Sequence, residues 1–185
     1  MKHEQSLTIG SYFLAAAERW PQSDFLIFPN HRHTYDSMKA AVLLRAASFK
    51  ACGVGQGDHV GLLMANCPEY IECLLGLQCL GAIAVPMNAR YKPQELAYVV
   101  SNAELKIIVT HDLISEYADF GALLLEAQAI ATPERLELMV MLGAPRDGFM
   151  PQAIFEAHAE QIDAAAVLET LQGLSVDDTA IMMYT

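Results

Sequence analysis

The stretch GVGQGDHVGLLMANCPEYIECLLGLQCLGAIAVP, residues 53–86, decides the fold. Its first apolar run, His59 to Ala65, is almost without polar interruption, the pattern of a strand covered on both faces. Pro68 then opens a helix at a position where its missing N–H costs nothing, and Gly81 closes it. Ala82 to Val85 is a second apolar strand. Strand, helix and strand at this spacing read as one parallel β-α-β unit with a right-handed crossover.

The same alternation extends both ways. Upstream, Leu7 to Trp20 has helical spacing and stops at Pro21. Phe25–Phe28 and His33–Tyr35 flank a turn and form a small hairpin, and Thr34 or Asp36 caps a helix that runs to about Ala51. Downstream, helices are expected over 93–100, 113–129 and 153–171, and strands over 105–110 and 137–142. The loop 143–152 is too short to be a domain linker. The last residues, Thr179 to Thr185, read as a buried strand. The expected fold class is α/β, a three-layer sandwich with a mostly parallel sheet, and residues 1–185 form a single unit of it.

Composition narrows the function. The chain has 185 residues, enough to bury roughly 70% of the surface its unfolded form exposes. It is 54% apolar and 18% charged, yet its longest apolar runs fall short of the ~18 residues of a membrane helix. No signal-peptide pattern precedes Gly10. The cysteines Cys52, Cys67, Cys73 and Cys79 form no C-x-x-C pair and are expected to be buried free thiols, which points to a reducing cytoplasm. The net charge of −11 lies wholly in the second part: residues 112–185 hold thirteen acidic and two basic side chains, against nine of each before them. Neither part offers a basic stripe for nucleic acid.

No self-contained active site emerges, and no residue is assigned a catalytic role. GVGQGD precedes its strand instead of leaving it, against a dinucleotide fold, and no Gly-Lys-Ser/Thr loop or nucleophile elbow occurs. His31 and His33 alternate without a third ligand, so no metal site is expected. His111 sits at a strand's carboxyl end, where it also serves to stop the strand and cap a helix. Asn88 and Arg90 follow the strand that ends at Pro86. They place an amide and a fixed cation at the sheet edge where ligands of such folds gather, suited to an anion. Equally, Asn88 caps a turn and Arg90 pairs with a loop carboxylate.

The ordered set Thr34-Tyr35, Gly53-Val54-x-x-Gly57-Asp58-x-Val60, Asn66-x-Pro68-Glu69, Gly81-Ala82-x-x-Val85-Pro86-x-Asn88 and Glu95-Leu96-x-Tyr98 resembles the N-terminal region of the adenylate-forming acyl-CoA synthetases, over about residues 7–112. The resemblance resumes at Asp178-Thr179-Ala180-x-x-x-Tyr184-Thr185, which is similar to the strand leading into that family's phosphate loop. It implies an incomplete N-terminal portion of the adenylate-forming fold, without the mobile C-terminal lid domain. The implied reaction uses ATP, magnesium and CoA: a carboxylic acid becomes an acyl-adenylate, then an acyl-CoA. Thr185 would open the phosphate loop, with Arg90 and Asn88 in support. The other residues that the family uses would follow Thr185, so this chain alone is expected to be inactive and to hold none of these ligands. The competing readings are a non-catalytic short relative acting as a binding or scaffold module, and an unrelated flavodoxin-like or dehydrogenase domain. An open sheet edge would also favour self-association.

Overall fold

The computed structural model describes residues 8–131 and 133–184. Helix α1 (Ile9–Arg19) is capped by the Thr8 hydroxyl, which accepts the Ser11 N–H, and leads into the hairpin β1 (Asp24–Phe28) and β2 (His31–Thr34). The Thr34 hydroxyl caps α2 (Tyr35–Ala51) by accepting the Ser37 N–H, as its sequence suggests. The quoted stretch supplies β3 (His59–Leu63), α3 (Pro68–Gln78) and β4 (Ile83–Pro86). There follow α4 (Pro93–Asn102), β5 (Ile107–His111), α5 (Phe120–Ile130), β6 (Leu138–Leu142), β7 (Met150–Pro151), α6 (Gln152–Ala157) and α7 (Ala164–Gln172).

The main sheet has the order β4-β3-β5-β6-β7 with every pairing parallel. Period-two alternation divides its side chains between two cores. Val60, Leu62, Ile107, Val109, Val140 and Leu142 face α1, α2, α3, α6 and α7. Leu63, Ile108, Met139 and Met141 face α4 and α5. These are the three layers expected, and each fully buried Leu or Ile contributes about 1.5–3 kcal/mol of transfer free energy. Helices α2 and α3 pack closely at Gly76, where an added Cβ would lie 3.0 Å from the Arg45 Cβ and 3.1 Å from the Ala46 nitrogen.

Buried Arg45 crosses this packing. Its side chain donates from Nε to Glu72 Oε2 at 3.2 Å and from its guanidinium to Glu156 Oε1 at 2.7 Å. Burial disfavours the cation, but the acidic neighbours Cys73, Glu72 and Glu156 outweigh it and hold the Arg45 pKa above its ordinary value. Burial raises the Glu72 carboxyl, with Arg45 opposing the rise.

Four expectations are corrected. Residues 113–118 form turns, and the helix begins only at Phe120, where the Asp119 carboxylate accepts the Ala122 N–H. Ile114 and Ala118 pack against the core on the α5 side, but Leu113 and Tyr117 do not, Tyr117 being 89% exposed. The helix expected over 153–171 breaks at Ile162, whose backbone is extended, and Asp163 caps a new start. The loop after β6 contains the short strand β7, too brief to carry a periodic signal. The last segment is not a buried strand. It touches the sheet at one parallel bridge, Ala84 to Ile181, and Met183 is 71% exposed. Among the described residues β4 is its one strand partner, while Met182 and Tyr184 pack against the core on the α4 side.

Candidate functional site

In an open parallel sheet the chain reverses direction where consecutive crossovers depart to opposite sides, leaving a crevice at the carboxyl ends of the strands. Here β3 has β4, which follows it in the chain, on one side and β5 on the other. The carboxyl ends of β3 and β5, with the β1–β2 hairpin, enclose a cleft of about 200 Å³. Its polar lining includes His31, His33, Asn66, Glu69, Glu72 and His111. The His31 and His33 rings stack with centroids 6.4 Å apart. Among the described residues no three His, Cys, Asp or Glu side chains come together as a metal cluster. A second hollow of about 150 Å³, between Gln78, Gly81, Leu174 and Asp178, opens at the amino end of β4, away from this crevice.

His111 is the last residue of β5, and its side chain braces the turn that follows. Its Nδ1 accepts the Leu113 N–H at 2.9 Å, so it stops the strand but caps no helix, which starts nine residues later. Beside it the Asp112 carboxylate accepts the Ala144 N–H at 3.0 Å and lies over Gly143. Gly143 has φ +92°, and a Cβ there would sit 1.9 Å from Asp112 Oδ1. Arg146 pairs with Asp119, so both ends of the turn after β6 are fastened to the β5–α5 connection. The Asp119 carboxyl is drawn below its usual range: burial opposes this, but the Ala122 N–H and Arg146 outweigh it.

Asn88 and Arg90 both stand exposed just past β4. The Asn88 Oδ1 accepts the Arg90 N–H at 3.0 Å, so Asn88 does cap a turn. The Arg90 guanidinium makes no ion pair among the described residues, contrary to the expected loop carboxylate. Thr185 lies outside the described residues. Its predecessor is held firmly. The Ala84 N–H donates to the Ala180 carbonyl at 3.1 Å and the Met182 N–H to the Ala84 carbonyl at 2.9 Å, while Gln78 Nε2 also reaches the Ala180 carbonyl at 2.9 Å. The Tyr91 hydroxyl donates to the Tyr184 carbonyl at 3.3 Å, and the Tyr184 hydroxyl to Asn102 Oδ1 at 2.8 Å. The Tyr98 and Tyr184 rings meet edge to face at 6.3 Å. Burial, with Tyr98 nearby, raises the Tyr184 phenol above its ordinary value.

The structure thus brings the loop after β4, which carries Asn88 and Arg90, against the residue that precedes Thr185. Sequence reading did not single out Tyr91 or Asn102. Tyr184 bonds across separations of 93 and 82 residues, and no local pattern signals such contacts.

Cys67, Cys73 and Cys79 are buried free thiols, and Cys52 is half-buried. Burial pushes the Cys67 thiol up to about 11 and those of Cys73 and Cys79 up to about 12. They therefore remain protonated near neutral pH and are unsuited to nucleophilic work. No helix of the described residues is long and apolar enough to cross a membrane.

Comparison with known proteins agrees with this geometry. The crotonobetaine/carnitine–CoA ligase of Proteus mirabilis is 30% identical over 174 residues, 91% of this chain and 32% of that protein. The protein of the same name from Salmonella typhimurium is 33% identical over 155 residues, 82% of this chain and 28% of its own length. The chain thus spans about a third of the curated relatives it matches. Among solved structures, coronafacic acid ligase from Pectobacterium brasiliense, an R395G mutant form, superposes with a TM-score of 0.77 at 16% identity, covering 97% of this chain and 33% of that one. An anthranilate CoA ligase in complex with anthranoyl-AMP gives 0.73 at 22% identity, covering 85% and 28%. At these identities the structures establish the shared fold. The model of the AMP-binding enzyme family matches residues 13–185, and the chain belongs to that family.

Proposed function

We propose that this chain is the N-terminal α/β part of an acid–CoA ligase, one unit of a larger AMP-binding domain whose lid domain lies elsewhere in the full-length protein. The whole protein would join a small carboxylic acid to CoA in two steps. A carboxylate oxygen attacks the α-phosphorus of ATP, pyrophosphate leaves, and an acyl-adenylate forms. The CoA sulfur then attacks the acyl carbon, loses its proton to solvent and expels AMP.

In this reading Thr185 opens the ATP phosphate loop, and Arg90, positioned through the turn that Asn88 caps, supplies a cation at its rim. The observation that carries the proposal is the contact between Tyr91, beside Arg90, and Tyr184, beside Thr185. It draws two segments 93 residues apart to one edge of the sheet. Arg90 fits a phosphate oxygen. The carboxylates of the nearby cleft, Glu69 and Glu72, do not. Stabilising a five-coordinate phosphorus needs several cations and amides around it, and the described residues bring few. Magnesium ligands are therefore assigned to other parts of the protein, and this chain alone is inactive. A cytoplasmic location accords with the free thiols and with the CoA and ATP that the reaction consumes.

The test is pyrophosphate and AMP release by the full-length protein with CoA, MgATP and a panel of carboxylic acids, carnitine and crotonobetaine first because the relatives are named for them. Turnover with any acid supports the reading; none across aliphatic, aromatic and betaine acids overturns it. The isolated chain should show no saturable MgATP binding in the low micromolar range by calorimetry.

A further inference from the structure

The cleft at the carboxyl ends of β3 and β5 holds negative charge that the function proposed above leaves unused. Glu69 and Glu72 stand three residues apart on α3, so both carboxylates reach the same wall. No lysine or arginine lines the cleft. Arg45, behind that wall, is shared between Glu72 and Glu156, and Arg32 of the hairpin pairs with Asp24. Glu69 makes no ion pair among the described residues. One guanidinium thus serves three carboxylates. The N-terminus of α3 offsets only part of the excess, with about half a positive charge.

Glu72 points to a ligand on its own account. The residue is 8% exposed, and Arg45 engages only its Oε2. Its Oε1 accepts no hydrogen bond among the described residues, although every sealed side-chain nitrogen or oxygen there has a partner. That oxygen therefore opens onto the cleft, and a carboxylate oxygen so nearly desolvated is costly until a ligand meets it. Burial raises the Glu72 carboxyl, Arg45 opposes the rise, and the Glu69 charge adds to it, as expected of negative charge short of partners.

The remaining lining differs in kind. Phe28 and the stacked His31 and His33 rings come from the hairpin, and Leu113 lies at the rim. A metal ion fits poorly, because no three His, Cys, Asp or Glu side chains gather as its ligands among the described residues. An alkylated ammonium group suits both kinds of lining. Its charge meets the carboxylates, and its weakly hydrated methyl groups lie against the ring faces. We infer that this cleft binds a small organic cation through a substituted or quaternary ammonium group, with Glu69 and Glu72 as counter-ions and Phe28 and the histidine pair as the ring wall.

The experiment is calorimetry on the full-length protein without ATP or CoA, with choline chloride as the probe and its uncharged isostere 3,3-dimethylbutan-1-ol as the control. Because no ligase step is measured, failure of this inference and failure of the proposed function are separate results. Choline should bind with a Kd on the order of 1 mM, and the isostere at least about tenfold more weakly. Glu69→Gln should weaken choline binding about fivefold, the upper range for a part-exposed ion pair. Leu113 is 57% exposed, so a charge placed there leaves the core intact. Leu113→Lys should weaken choline binding about twofold and Leu113→Glu should tighten it by a similar factor, both effects fading in high salt. No saturation by ~20 mM choline, roughly twenty times the expected Kd, overturns the inference. So does an isostere that binds as well as choline, or an affinity unchanged in Glu69→Gln or in both Leu113 variants.

Discussion

Replacing Arg45 by alanine tests the electrostatic reading of the core most directly. Arg45 is 3% exposed and lies 3.2 Å from the nearly buried Glu72 and 2.7 Å from the part-exposed Glu156. At an effective dielectric constant of about 20, a pair at the first distance attracts by about 5 kcal/mol, most of which offsets the cost of removing both charges from water. The Glu156 contact, partly solvated, adds no more than about 1 kcal/mol. Truncating Arg45 forfeits this attraction but leaves Glu72 buried, so the net loss should be about 3–5 kcal/mol. That is a large part of the ~5–15 kcal/mol that stabilises an ordinary domain. With a urea slope of about 2 kcal/mol/M, the midpoint of far-UV circular dichroism unfolding should fall by about 1.5–2.5 M at pH 7.5.

The loss should depend on pH with a definite sign. Burial already holds the Glu72 carboxyl above its ordinary value, and removing Arg45 takes away the group that opposes this. A raised folded pKa leaves stability intact below the unfolded value of about 4.3 and removes it as pH rises through the folded value. The penalty should therefore shrink at pH 5 relative to pH 7.5, and Glu72→Gln added to Arg45→Ala should recover part of it at pH 7.5. A midpoint shift below about 0.3 M, or a penalty that grows on acidification, would refute the reasoning.

Gly143→Ala should cost at least about 2 kcal/mol, because its φ of +92° strains a side chain and its Cβ would meet the Asp112 carboxylate. Calorimetry should show Tm lower by about 4–8 °C, and Asp112→Ala in the same background should add less than its separate effect. In native protein at pH 8, Ellman's reagent should modify Cys52 slowly and the other three scarcely at all, with all four released in denaturant. Rapid reaction of two thiols would show that α3 opens far more readily than its packing indicates.

Much of the architecture was legible before any coordinates. Thr34 capping, Pro68 at a helix start, and the unbroken apolar runs at 59–65 and 137–142 each express a local rule, and each led to the correct element. Two of the misreadings share a cause. The apolar stretches 113–118 and 179–184 predict a helix and a buried strand, yet only part of each is covered: Ile114, Ala118, Met182 and Tyr184 pack against the core, while Leu113, Tyr117, Ile181 and Met183 stay exposed. Hydrophobicity reports that a residue can be covered, not that a neighbour exists to cover it. Arg45 shows the converse. It lies among Val42, Ala46 and Phe49 on a face that periodicity marks as core, and only the folded chain reveals why a cation is tolerated there, since Glu72 and Glu156 come from 27 and 111 residues away.

The candidate site divides in the same way. Sequence alone singled out Asn88 and Arg90, because a strand's end followed by an amide and a cation is a local pattern, and the ordered motifs pointed to the family. Tertiary structure alone decided that the turn they occupy meets Tyr184, and that Tyr91 and Asn102 grip that residue. Contacts closed across 82 and 93 residues depend on where the sheet and α4 carry the backbone, and no spacing in the chain encodes them.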